Sequence, residues 1–108
     1  MNDVVIKMSS SYLKALSHPT RLKILEILQT DELCVCKILE ALELEQSNVS
    51  QHLRILKDQG ILTSRRDGAN ILYKVKNEEV FKILQEVKNI LLQQLNDTKN
   101  HLTEGGSN

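Results

Sequence analysis

The stretch Gln46-Ser47-Asn48-Val49-Ser50-Gln51-His52-Leu53-Arg54-Ile55-Leu56 is bounded by Gly60 and followed directly by Arg65-Arg66-Asp67-Gly68. At about 100° per residue, Val49, Leu53 and Leu56 share one side of a helix, while Ser47, Gln51 and Arg54 point the other way. Asn48 and Ser50 sit on the flanks, and Gly60 suits a left-handed helix end. This pattern predicts a helix over about 46–59 that buries one stripe and displays small polar side chains and an arginine. Segments 61–66 and 71–76 then alternate around Asp67-Gly68-Ala69-Asn70, which predicts a two-stranded hairpin. Ile71, Tyr73 and Val75 fall on one face of it, Lys74 and Lys76 on the other. An outward-facing polar helix beside a basic hairpin suits duplex DNA, with the helix in the major groove and the loop on the backbone.

Upstream, Val4, Val5, Met8, Tyr12 and Leu16 recur at helical spacing, and Ser17-His18-Pro19 breaks that helix. Pro19 suits the first turn of the next helix, in which Leu22, Ile24, Leu25, Ile27 and Leu28 leave little polar girth. That helix is expected to be the buried central element. Thr30-Asp31-Glu32 breaks the chain before a third helix at about 35–42, with Ile38, Leu39 and Leu42 inward and Glu43-Leu44-Glu45 as the turn. Downstream, Val80, Ile83, Leu84, Val87, Ile90, Leu91 and Leu95 make a long stripe on a last helix at about 78–99. The stripe fits either an ordinary terminal helix or a subunit interface shared with the first helix.

Composition bounds the rest. The 108 residues suggest one small domain at 1–100 with a flexible tail at 101–108. A chain this short buries a limited share of its surface, so a homodimer that completes the core is expected. The zero net charge hides an asymmetry: residues 46–76 hold six basic and two acidic side chains, residues 21–45 three and six. A basic strip in a neutral chain is the electrostatic footprint of a nucleic-acid face. No apolar run approaches membrane-spanning length and nothing resembles a signal peptide, so a cytoplasmic location without membrane partners is expected. Two cysteines in that setting are expected to be thiols used for metal binding or redox chemistry rather than a structural bridge.

The element order, four helices, a hairpin and a last helix (α-α-α-α-β-β-α), is mainly α and describes a winged helix-turn-helix. Over about residues 16–75 the chain resembles the ArsR/SmtB family of dimeric metal- and thiol-responsive repressors. The resemblance is carried by Leu16-Ser17-His18-Pro19-Thr20-Arg21-Leu22-Lys23-Ile24-Leu25, by Glu32-Leu33-Cys34-Val35-Cys36, and by Val49-Ser50-Gln51-His52-Leu53 with Leu56, Gly60 and Leu62. It implies a homodimer, paired through the first and last helices, that binds double-stranded operator DNA. It also implies release by a thiol-binding effector and no cofactor for DNA binding itself.

Gln46, Ser47, Asn48, Ser50 and Gln51 are the candidates for base or nearby phosphate contact, since Gln and Asn can bond adenine bidentately and Ser is permissive. Arg54 is a phosphate candidate, and Arg65, Arg66 and Lys74 belong to the wing, on the backbone or minor groove. The family usually places Ser where this chain has Glu45. Glutamate is a poorer helix cap, though its charge suits a helix N-terminus. His52 stands where the family has histidine; a packing role outweighs metal ligation there, as capping or packing does at His18.

Cys34 and Cys36 lie at the predicted start of the third helix. Residues two apart in a regular helix point about 200° apart, so their sulfurs converge only if the first turn is not yet helical. A helix N-terminus and Lys37 both favour thiolates, which bind soft ions such as As(III), Sb(III), Cd(II) or Pb(II). Arsenic-responsive members of the family commonly carry a third cysteine where this chain has Leu39. A second family metal site on the last helix would need ligands at Lys88 and Ile90, which cannot bind zinc, although His101 and Glu104 imitate its other half. A thiol redox switch is the alternative use of the pair, and a disulfide across one residue is expected to be readily reduced. A winged-helix protein-interaction module is the alternative to DNA binding, disfavoured by the basic strip. No nucleophile–base arrangement, phosphate-cradling glycine loop or paired carboxylates point to an enzyme.

Overall fold

A computed structural model describes residues 1–106, with side chains to residue 100. The elements are α1 (Asp3–Leu16), α2 (Pro19–Ile27), β1 (Leu33–Cys34), α3 (Val35–Leu42), α4 (Gln46–Asp58), β2 (Leu62–Asp67), β3 (Asn70–Val75) and α5 (Glu79–Gly106). The chain divides into two compact units, Met1–Asn77 and the remainder from Glu78.

Local chemistry starts and stops the helices of the first unit. Asn2 caps α1 by accepting from the Val5 N–H at 2.9 Å. His18 caps α2, its Nδ1 accepting from the Thr20 N–H at 3.0 Å, and Pro19 takes the first helical position, where no N–H is needed. Helix α3 ends at Glu43, a non-glycine residue in the left-handed region (φ 56°), and three residues on α4 begins. Helix α4 ends in a Schellman motif: Gly60 has φ 73°, its N–H donates to Lys57 O at 2.9 Å, and the Ile61 N–H donates to Leu56 O at 3.0 Å.

These elements close around one apolar core. Ala15 and Leu16 of α1, Ile24 and Leu25 of α2, the following Leu28, Ile38 of α3, Val49, Leu53 and Leu56 of α4, and Ile61 and Leu62 are buried. Full burial of a leucine- or isoleucine-sized side chain contributes about 1.5–3 kcal/mol, so this set is the main stabilising term of the unit. No buried side-chain nitrogen or oxygen among the described residues lacks a partner.

Several features differ from the sequence expectation. The wing is a three-stranded antiparallel sheet in the order β1-β3-β2, because Leu33 and Cys34 pair with Tyr73 and Leu72. A two-residue strand has no periodicity to betray it. Leu22 is exposed, so α2 is buried on one side rather than round its girth, and Ile71 is exposed although it alternates with half-buried Tyr73 and Val75. Helix α5 runs on to Gly106, past the predicted end near residue 99. Of the tail expected at 101–108, residues 107–108 lie outside the described residues. Along α5, Ile83, Val87, Ile90, Leu91, Leu92 and Leu95 are exposed. No helix of the described residues is long and apolar enough to cross a membrane.

Candidate nucleic-acid interface and dithiol site

Helix α4 sorts its side chains as its periodicity predicts. Val49, Leu53 and Leu56 are buried, while Gln46, Ser47, Asn48, Ser50, Gln51 and Arg54 are all exposed. Arg54 lies 3.8 Å from Asp58 one turn on. Glu45 is the N-cap residue and makes no side-chain cap bond, so the first-turn N–H groups of α4 are not satisfied by that side chain. The seat of α4 on α2 is polar as well as apolar. Arg21 Nε donates to His52 Nδ1 at 3.2 Å, and the same guanidinium donates to the Ala15 carbonyl at 3.2 Å. The His52 ring lies against the His18 ring, with centroids 4.3 Å apart. Burial, then the neighbouring His18 and Arg21 charges, holds the His52 pKa below its ordinary value, and a neutral ring is what accepting from Arg21 requires. His52 and His18 are thus packing and capping residues, tying the start of α2 to the middle of α4.

The wing presents Arg65, Arg66 and Lys74 as exposed side chains. Register places Arg65 opposite Leu72, Arg66 opposite Ile71, and Lys74 opposite Thr63, with the turn over Gly68-Ala69 and Gly68 at φ 63°. Arg65 does not stand alone. Its Nε donates to both carboxylate oxygens of Glu32, at 3.1 and 3.0 Å, and its Nη2 donates to Oε1 at 2.7 Å. The bond from Arg65 and the charges of Arg65 and Lys74 outweigh desolvation and hold the Glu32 carboxyl below the usual carboxylate range. Sequence reasoning passed over Glu32. The partners lie 33 positions apart, and no local pattern marks such a pair.

Cys34 is the N-cap of α3, with extended backbone (φ −72°, ψ 160°), and its Sγ accepts from the Lys37 N–H at 3.3 Å. The non-helical first position brings the two sulfurs together, with Cα atoms 5.3 Å apart. They are joined as a disulfide, where thiols were expected. Cys36 is exposed and Cys34 half-buried, so the pair is reachable from solvent. Among the described residues no three His, Cys, Asp or Glu side chains gather as a metal cluster, and Leu39 offers no third ligand. Only when reduced would the pair offer two thiolates as donors.

This geometry has relatives. Residues 18–64 match the family described as "Bacterial regulatory protein, arsR family". An uncharacterized HTH-type transcriptional regulator of Mycobacterium tuberculosis, Rv0081, is 31% identical over 97 residues, which cover 89% of this chain and 85% of the relative. Its crystal structure matches with a TM-score of 0.79 over 89% of this chain and 97% of the other. The arsenical resistance operon repressor of Staphylococcus aureus is 36% identical over 78 residues, 72% of this chain and 75% of the repressor. The solution structure of the homodimeric winged helix-turn-helix DNA-binding domain Mb0332 from Mycobacterium bovis matches with a TM-score of 0.77 at 26% identity, covering 88% of this chain and 91% of that one. By these matches in sequence and fold, the chain belongs to the ArsR family, a family of DNA-binding transcriptional regulators rather than enzymes.

Proposed function

We propose that this protein is an operator-binding repressor that acts as a homodimer and leaves its DNA when a thiol-reactive effector, foremost a soft metal(loid) ion such as arsenite, antimonite, cadmium or lead, engages Cys34 and Cys36. The observation that carries DNA reading is the outer face of α4, where six consecutive-turn polar residues (Gln46, Ser47, Asn48, Ser50, Gln51 and Arg54) are exposed while the apolar stripe is buried. In this reading the first five contact bases or nearby phosphates, and Arg54, Arg65, Arg66 and Lys74 hold the backbone. The exposed apolar side chains of α1 (Val4, Val5, Ile6, Met8) and of α5 (Ile83, Val87, Ile90, Leu91, Leu92, Leu95) are the surfaces a second copy covers. That Mb0332 is homodimeric supports pairing with a second copy.

The effector reading rests on two sulfurs meeting at the N-cap of α3, the helix that leads through a three-residue turn into α4. The arsenical resistance role named for the Staphylococcus aureus relative supports a metalloid. An effector that prefers a repositioned α3 start lowers DNA affinity by that preference and no more. The sulfur–sulfur bond favours one second reading, a redox switch, in which two thiols give two electrons and two protons to an oxidant such as peroxide. Mobility shift on the DNA upstream of the protein's own coding region tests both readings. The reduced protein is titrated with arsenite, cadmium, lead or peroxide, alongside a Cys34→Ser, Cys36→Ser variant. Release of the wild type alone is the expected result. A variant that responds like wild type removes the pair from the sensing role.

A further inference from the structure

Of the two arginines on β2, Arg65 and Arg66, the first already holds a carboxylate. Arg65 presents Nε and Nη2 to Glu32 as a fork, the same edge with which a guanidinium takes two phosphate oxygens. Its side chain is more than half exposed while that of Glu32 is only 25% exposed, so the acid is the fixed partner and the arginine the one that can leave. Glu32 also lies in the field of Lys74, a second wing cation. It sits directly before β1, whose Cys34 is paired with Leu72, and Leu72 is paired in turn with Arg65. Cross-strand partners in an antiparallel sheet share a face, so Cys34, Leu72 and Arg65 form one row across the three strands. Glu32, two positions before Cys34, reaches along that face to the arginine at the row's far end.

We infer that Glu32 is a positioning residue for the wing: it competes with operator phosphate for Arg65, and it does so from the position directly before the strand that carries the Cys34 sulfur. The inference rests on the operator-binding reading and deepens it. When Arg65 is on Glu32, the wing reaches DNA with one phosphate contact fewer. When the arginine swings to phosphate, Glu32 is left with Lys74 and solvent. Apparent DNA affinity is therefore reduced by the fraction of molecules in which the pair is closed.

The test is a double-mutant cycle on operator DNA, with Glu32→Gln, Arg65→Ala and the double variant, read by fluorescence anisotropy across a salt series. Glutamine keeps the size of the acid and removes the charge that holds the fork. The expected result is that E32Q tightens binding up to about five-fold, the range open to an exposed ion pair. It also steepens the slope of log affinity against log salt by about one, the signature of one regained phosphate contact. In the R65A background E32Q is expected to do neither. Equal tightening in both backgrounds would mean that Glu32 merely repels DNA as a nearby negative charge, and it overturns the inference. So does an E32Q protein that binds like wild type. A wild-type protein that binds no duplex fails before the cycle begins, which separates collapse of the operator-binding reading from collapse of this one.

Discussion

Glu45 occupies the N-cap of α4 without bonding any first-turn N–H. A serine there could accept from the N–H two or three residues on, and such a cap is worth about 0.5–2 kcal/mol against a non-capping residue. Glu45→Ser is expected to raise stability by about 0.5–1 kcal/mol, seen as a higher Tm, because part of the cap is offset by losing a favourable charge at a helix N-terminus. His52 gives a pH dependence with a definite sign. Its folded-state pKa is depressed by burial and by the His18 and Arg21 charges. The unfolded chain therefore binds the proton first, near the ordinary histidine value of about 6.5. The contribution of His52 to stability is present above that value and is lost as pH falls through the folded-state pKa. Urea unfolding at pH 8 and pH 5.5 is expected to show lower stability in acid. His52→Gln, which keeps an acceptor without titrating, is expected to remove part of the difference. If H52Q keeps the whole pH dependence, the titration belongs to another group.

At the scale of elements, the turn that ends α4 is a backbone requirement rather than a packing one. A Cβ built on Gly60 meets nothing within 4 Å, yet φ is 73°. Gly60→Ala is therefore expected to cost about 1 kcal/mol from conformation alone, without a change of fold, measurable by denaturant midpoint at constant m-value. Most helices were legible because apolar residues at 3.6-residue spacing and sharp stops coincide: Pro19 opens α2 and Gly60 closes α4 at the places their chemistry demands. The boundaries of α3 were likewise readable from Val35 to Leu42. What stayed hidden lacks a local pattern. Leu33-Cys34 becomes a strand only because Tyr73 and Leu72 are there to pair with it. The left-handed backbone of Glu43, in a turn whose place was readable, has no glycine to announce it. Of the candidate surface, exposure along α4 followed directly from periodicity. The engagement of Arg65 by Glu32 and the bond between Cys34 and Cys36 depend on tertiary neighbours and on chemical state, which residue spacing does not record.

At the scale of the whole molecule, apolar surface is the outstanding fact. Val4, Met8, Ile90, Leu91 and Leu95 are each more than half exposed in the single chain, in positions no isolated helix needs to leave apolar. Leu91→Glu is expected to shift the protein towards monomer in analytical ultracentrifugation and to weaken DNA binding with it, since two half-sites must be engaged together. An L91E protein with unchanged sedimentation and DNA affinity would exclude α5 from the interface. His18 meanwhile links events in the other unit. One imidazole closes the entry of α2 through Nδ1 and lies against His52 of α4. That ring thus serves two tenants, and an injury there would not be local: the entry of one helix and the seat of the next would slacken together.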